Sequence, residues 1–247
     1  MQAPHLRARR PGEILDTAFQ ILRSHYDVVV LASAVFLVPT IVLAFALPEN
    51  PIINIVDRLL TVAGSTAVVV VVSDIYTGEE VDVRRSIGQV FSRFGSIFGA
   101  AIIQGIFLVV GLLLLVVPAF IFYAWTFAMP AIVMLEGVGA SASYARSRAL
   151  AKGFVGHILA TLVTAWVIFG VVFIGAIVAM GMAIGLGLDE RFADPFIGAV
   201  VCLAYPFVGA VATVLYYDLR IRQEGFDVEF LAGKIDDPEP GAPPTFA

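Results

Sequence analysis

Between Phe94 and Leu135 the chain reads FGSIFGAAIIQGIFLVVGLLLLVVPAFIFYAWTFAMPAIVML, 42 residues without one acidic or basic side chain. A helix rises about 1.5 Å per residue and a bilayer core takes about 20 apolar residues to cross, so this stretch holds two crossings. Proline cannot extend a helix without loss of a backbone hydrogen bond, which places the turn between them at Val117-Pro118. The whole chain agrees with that reading. Of its 247 residues 60% are hydrophobic and 14% charged, with a mean hydropathy of +0.94. Soluble domains carry about 45–50% apolar and about 25% charged residues, so the composition predicts an all-α integral membrane protein. A formal charge of −5 leaves no basic field for nucleic acid.

Working outward, ionisable groups are costly in hydrocarbon, so charge-poor stretches mark the crossings. They predict six spans, near 28–48, 53–74, 97–117, 119–135, 157–186 and 196–217. Gly153 to Leu188 is 36 residues long and contains neither Pro nor formal charge, so it reads as one long helix. Residues 1–235 form one membrane domain. The stretch 236–247, DDPEPGAPPTFA, is acidic and proline-rich and is expected to be disordered. The segment before it should lie on the membrane surface with Phe226, Phe230 and Leu231 toward lipid.

Sidedness follows from the basic residues. With the N terminus inside, thirteen Lys and Arg fall on the cytoplasmic side and only Arg58 and Arg191 outside. Both termini are expected to be cytoplasmic in a multi-pass protein of the bacterial inner membrane. The first apolar run is longer than a signal-peptide core and has 27 residues before it, so it reads as a retained span.

Before each odd-numbered span lies an amphipathic segment. In the first, Ile14, Leu15, Ala18, Phe19, Leu22 and Tyr26 oppose Glu13, Asp16, Gln20, Arg23 and Asp27. In the second, Val83, Ile87, Val90, Phe91 and Phe94 oppose Arg84, Arg85, Gln89, Ser92 and Arg93. In the third, Ala142, Ala145, Ala149 and Leu150 oppose Ser143, Arg146, Ser147 and Lys152. The unit is an interfacial helix plus a two-span hairpin, repeated three times. Three acids, Asp74, Glu136 and Asp218, recur where even-numbered spans reach the cytoplasm. They read as a structural charge network with Arg85, Arg146, Arg148 and Arg220. A ring of acids around a cation vestibule is the sharper alternative.

Three segments carry a family likeness: PGEILDTAFQILRSHY, MPAIVMLEGVGASASYARSRALAKG and TVLYYDLRIRQEGFDVEFLAG. With them the chain resembles the six-helix membrane domain associated with glycerophosphoryl diester phosphodiesterases. The resemblance implies a stand-alone membrane module; the phosphodiesterase activity of that family belongs to a separate soluble barrel, for which this chain has no room.

No residue pattern points to catalysis. Cys202 is alone in an apolar run, the three histidines are scattered, and no phosphate-binding glycine motif occurs. No catalytic residue, metal ligand or cofactor is expected, and the chain reads as a non-enzyme. The leading expectation is an accessory, scaffold or assembly subunit that works through membrane lipids and protein partners. The alternative is a small-solute or lipid permease whose path passes Gln104, Thr161 and Thr164, the polar residues within spans. A scaffold predicts acids consumed in ion pairs and no polar cavity; a permease predicts a cavity reaching those residues.

Overall fold

The computed structural model describes residues 7–46 and 51–226, with side chains for 7–43 and 55–226. The expected tail, 236–247, and the surface residues Phe230 and Leu231 lie outside the described residues. In chain order the helices are α1 (Pro11–Ala46), α2 (Pro51–Thr77), α3 (Val83–Ser92), α4 (Phe94–Leu114), α5 (Val116–Thr126), α6 (Met129–Ala131), α7 (Ala140–Ala151), α8 (Val155–Gly185), α9 (Ala193–Ala204) and α10 (Pro206–Glu224). A π turn, Ile132–Glu136, continues α6, and a 3-10 turn, Glu190–Phe192, precedes α9. No strand occurs among the described residues.

Six segments are long and apolar enough to cross a bilayer: Pro11–Leu43, Ile55–Thr77, Phe94–Leu114, Val116–Glu136, Val155–Gly185 and Glu190–Glu224. The protein is therefore an all-α, six-span membrane protein. Side-chain pairs fix the up-and-down order. Ser73 meets Tyr217, Arg93 meets the Val133 carbonyl, Glu136 meets Tyr216, and His157 meets Asp218. All these contacts lie at one end of the bundle, called here the network end.

The first amphipathic segment is the N-terminal part of α1. It meets the first span at a kink at His25 (φ −137°, ψ 34°), so the range α1 joins two helical segments at the expected boundary. Ile14, Ala18, Ile21 and Leu22 are buried, while Phe19 and Tyr26, expected on the same face, are exposed. The helix packs mainly against α2, α9 and α10.

In α7 the expected faces hold for Leu150, which is buried, and Lys152, which is exposed, but not for the small residues. Ser143 and Ser147 are fully buried, and Ala142, Ala145 and Ala149 are exposed. For Ser143 the reason is local. The Ser143 hydroxyl donates to the Ala140 carbonyl, which removes its need for water, whereas the buried Ser147 hydroxyl meets no hydrogen-bond partner among the described residues. Arg146, between the two serines, is held by carboxylates at the network end. A polar label thus misjudged two small side chains.

The hairpin between the third and fourth spans turns at Leu115 (φ 139°), not at Val117-Pro118. Pro118 sits in the first turn of α5, where a helix has no use for its missing N–H. Close approach of α4 and α5 depends on Gly111: a Cβ there would lie 2.5 Å from the Ala119 Cα. By contrast, a Cβ at Gly170, Gly175, Gly181 or Gly185 of α8 would meet nothing within 4 Å. Those glycines serve no close packing among the described residues.

The core sits around the second half of α10. Val214, Leu215, Tyr216, Tyr217, Asp218 and Leu219 are all buried in sequence, on every face of the helix. A helix buried all round is one that other elements have surrounded.

Gly111→Ala should destabilise the protein by about 1–3 kcal/mol, the usual cost of forcing atoms into a packed contact. Gly175→Ala, with open space around it, should be neutral or stabilising by up to about 1 kcal/mol. Unfolding of both variants in mixed micelles checks the difference; equal stabilities would contradict the hairpin geometry.

Candidate functional site

Two features stand close together: an ion-pair network at the network end and a half-open cavity between the spans. The network is organised by α10. Asp218 is 1% exposed, and its carboxylate accepts from three directions. The Arg9 backbone N–H donates at 2.6 Å, the His157 Nε2 lies at 2.9 Å, and the Arg222 Nε donates at 2.7 Å. Arg222 also reaches back to the Arg9 carbonyl at 2.6 Å. Arg9 in turn donates to the Tyr76 hydroxyl and lies over its ring. Such complete pairing offsets the cost of taking the Asp218 carboxylate out of water.

A second cluster forms one turn further along α10. Arg146 donates from Nε to both oxygens of Glu136, at 3.1 and 2.9 Å, and from its terminal nitrogens to both oxygens of Glu224. Glu224 and Glu136 together push the Arg146 guanidinium further above its ordinary range, so it stays charged. Tyr216 donates to Glu136 at 2.9 Å, and Arg220 donates to Glu224 at 3.2 Å.

The expected network is thus met in one pair and redrawn elsewhere. Glu136 does pair with Arg146. Asp218 pairs with Arg222 and His157, not with Arg85, Arg146 or Arg148. Arg148 lies over the Trp125 ring at 4.7 Å, and Arg220 serves Glu224 and the rings of Tyr216 and Phe226. Asp74 is buried at 7% exposure with no direct hydrogen bond to its carboxylate among the described residues; Arg85 acts on it only from a distance. Arg9, Tyr76, His157, Tyr216, Arg222 and Glu224 were not expected in the network. The i to i+4 spacings Asp218–Arg222 and Arg220–Glu224 were available as a signal; nothing in the sequence links Arg9 or His157 to Asp218.

Arg93 adds a backbone contact. Its Nη1 donates to the Val133 carbonyl at 2.7 Å and the Met134 carbonyl at 3.3 Å, at the π turn that ends span four. Gly137 (φ 74°) closes that turn, and a Cβ there would lie 2.9 Å from the same guanidinium.

The cavity has a volume of about 570 Å³ and lies between α2, α4, span four, α8 and span six. Small-molecule sites usually measure about 300–1,000 Å³. Its lining includes Arg58, Gln104, Tyr123, Trp166, Tyr205 and Thr213. Of the expected permeation residues it takes Gln104 but neither Thr161 nor Thr164. The Thr161 hydroxyl donates to His157 O at 2.9 Å and that of Thr164 to Ala160 O at 2.7 Å, so both are absorbed by their own helix. Pro130 and Pro206 stand where the fourth and sixth spans break, and Pro130 lines the cavity.

No cluster of three or more metal-ligating side chains occurs among the described residues. No protein family profile, curated protein or solved structure matches the chain.

Asp218→Asn should cost about 3–5 kcal/mol, since it leaves Arg222 and His157 around an uncharged amide. Reversing Glu136 and Arg146 together should not restore wild-type stability, because Glu224 would then face a carboxylate at position 146. Adding Glu224→Arg should recover part of the loss. Melting temperatures of the purified variants test both; full rescue by the double reversal would contradict the shared arginine.

Proposed function

We propose that the protein is a non-catalytic, multi-pass protein of the bacterial inner membrane that binds and hands on a small amphipathic solute or lipid. The network end is the cytoplasmic end in this reading, with both termini on that side, as the distribution of basic residues implies. The three amphipathic segments and the likeness to the phosphodiesterase-associated membrane domain belong to the same proposal.

One observation carries it: a cavity of small-molecule size that includes Gln104 within the membrane-spanning part of the bundle. A pure scaffold has no use for such a space, and helices in lipid gain by packing it closed. The ion-pair network supports a rigid base for the cavity rather than a chemistry of its own. Pairing of Glu136 and Asp218 is equally compatible with an accessory subunit, so the cavity is what separates the two readings.

Gly105 offers the test. It lines the cavity, and a Cβ there meets nothing within 4 Å, so Gly105→Phe fills the space without striking the backbone. Solvent extracts of the purified wild type should contain a tightly retained lipid-like molecule at near-stoichiometric amount, reduced at least tenfold in Gly105→Phe. Gly175→Phe on the outer face of α8 serves as the control. Equal retention in all three proteins would overturn the reading, as would failure of reconstituted wild type to take up any solute in a manner sensitive to Gln104→Leu.

A further inference from the structure

The cavity's hydrogen-bonding inventory is one-sided. Its lining holds no Asp, Glu or His. The hydroxyls of Ser65, Thr66, Thr126 and Thr213 already donate to backbone carbonyls within their own helices, at 2.7 to 2.9 Å in their shortest bonds. Toward the middle of the cavity they present a wall with its donors spent. Trp166 Nε1 is likewise occupied, donating to the Tyr123 hydroxyl at 2.8 Å.

The donors left over are Arg58, the Gln104 amide and the hydroxyl protons of Tyr123 and Tyr205. No described residue accepts from any of them, and Arg58 has no ion-pair partner among the described residues although Asp57 precedes it. Adjacent residues on a helix point about 100° apart, so Asp57 does not neutralise it. Arg58 stands at the end of the cavity away from the network. From Arg58 to Val69, both on its lining, α2 rises about 16 Å. Along that length the walls turn from free donors to Val69, Ile97, Ala101, Phe127 and Val208.

A guanidinium whose N–H groups meet no acceptor among the described residues, at the end of an apolar space, matches a carboxylate or phosphate head on an apolar chain. We infer that the cavity takes an anionic amphiphile, its head held by Arg58 and Gln104 and its chain directed toward the network end. The inference rests on the cavity reading above and names the class of molecule that fills it.

Trp166 supplies the readout. In a Trp125→Phe background it is the sole tryptophan, and it lines the cavity. Titration with dibromostearic acid in non-ionic micelles should quench it saturably, at a mole fraction about tenfold lower than dibromostearic methyl ester. Arg58→Gln should shrink that preference to under twofold while the ester curve stays unchanged. Equal saturation by acid and ester, or no effect of Arg58→Gln, would overturn the anionic head and leave the cavity reading standing. Absence of any saturable component that Gly105→Phe removes would overturn the cavity reading itself. Competition by millimolar inorganic phosphate alone would show that a soluble anion suffices and would overturn the amphiphile.

Discussion

A carboxylate removed from water has to find its solvation inside the protein, and at Asp218 that requirement shapes the whole network end. Its partners come from the segment before α1, from the start of α8 and from the next turn of α10. No single neighbour suffices, because two oxygens with several lone pairs face no water. Three parts of the chain therefore converge on one point. Tyr76 and Tyr217 stack beside it at 5.1 Å and carry the contact on to α2. The Arg146 cluster repeats the principle with the charges exchanged, one cation between two carboxylates.

Beyond this end the forces are different. Helices surrounded by lipid gain no hydrophobic free energy from meeting one another, so contact depends on shape and on the few polar groups available. Gly111 against Ala119 and Gly209 against Val68 are such contacts of shape. Where they stop, the bundle opens into the cavity. The fold is tight where charges must be satisfied and loose where nothing compels closure, and the loose region holds the free donors.

Much of this was legible beforehand. The six spans follow from charge-free length, a bulk property that local detail cannot overturn. Glu136 and Arg146 are near in sequence, and their pairing needed only a turn between them. Asp218 was singled out by its position at the end of a span, but Arg9 and His157 were hidden because the pairing is long-range. Ser143 of α7 was misread because residue polarity does not say whether a small hydroxyl has its own backbone carbonyl within reach. Thr161 and Thr164 failed as path residues for the same reason. The hairpin was misplaced by treating proline as a stop, when in a first helical turn it is a start.

The bond between Arg9 and Asp218 joins residues 209 positions apart. In a chain made from its N terminus, Arg9 is available from the beginning, while its acceptor arrives with the last span. Contacts of such separation close late, after local hairpins have formed. The α4–α5 hairpin can assemble at once, but the surrounding ring of helices has no seam until α10 is in place. The contact between the start of α1 and α10 thus forms only once the last span is in place, and a chain stopped before residue 218 would leave α1 without its fastening.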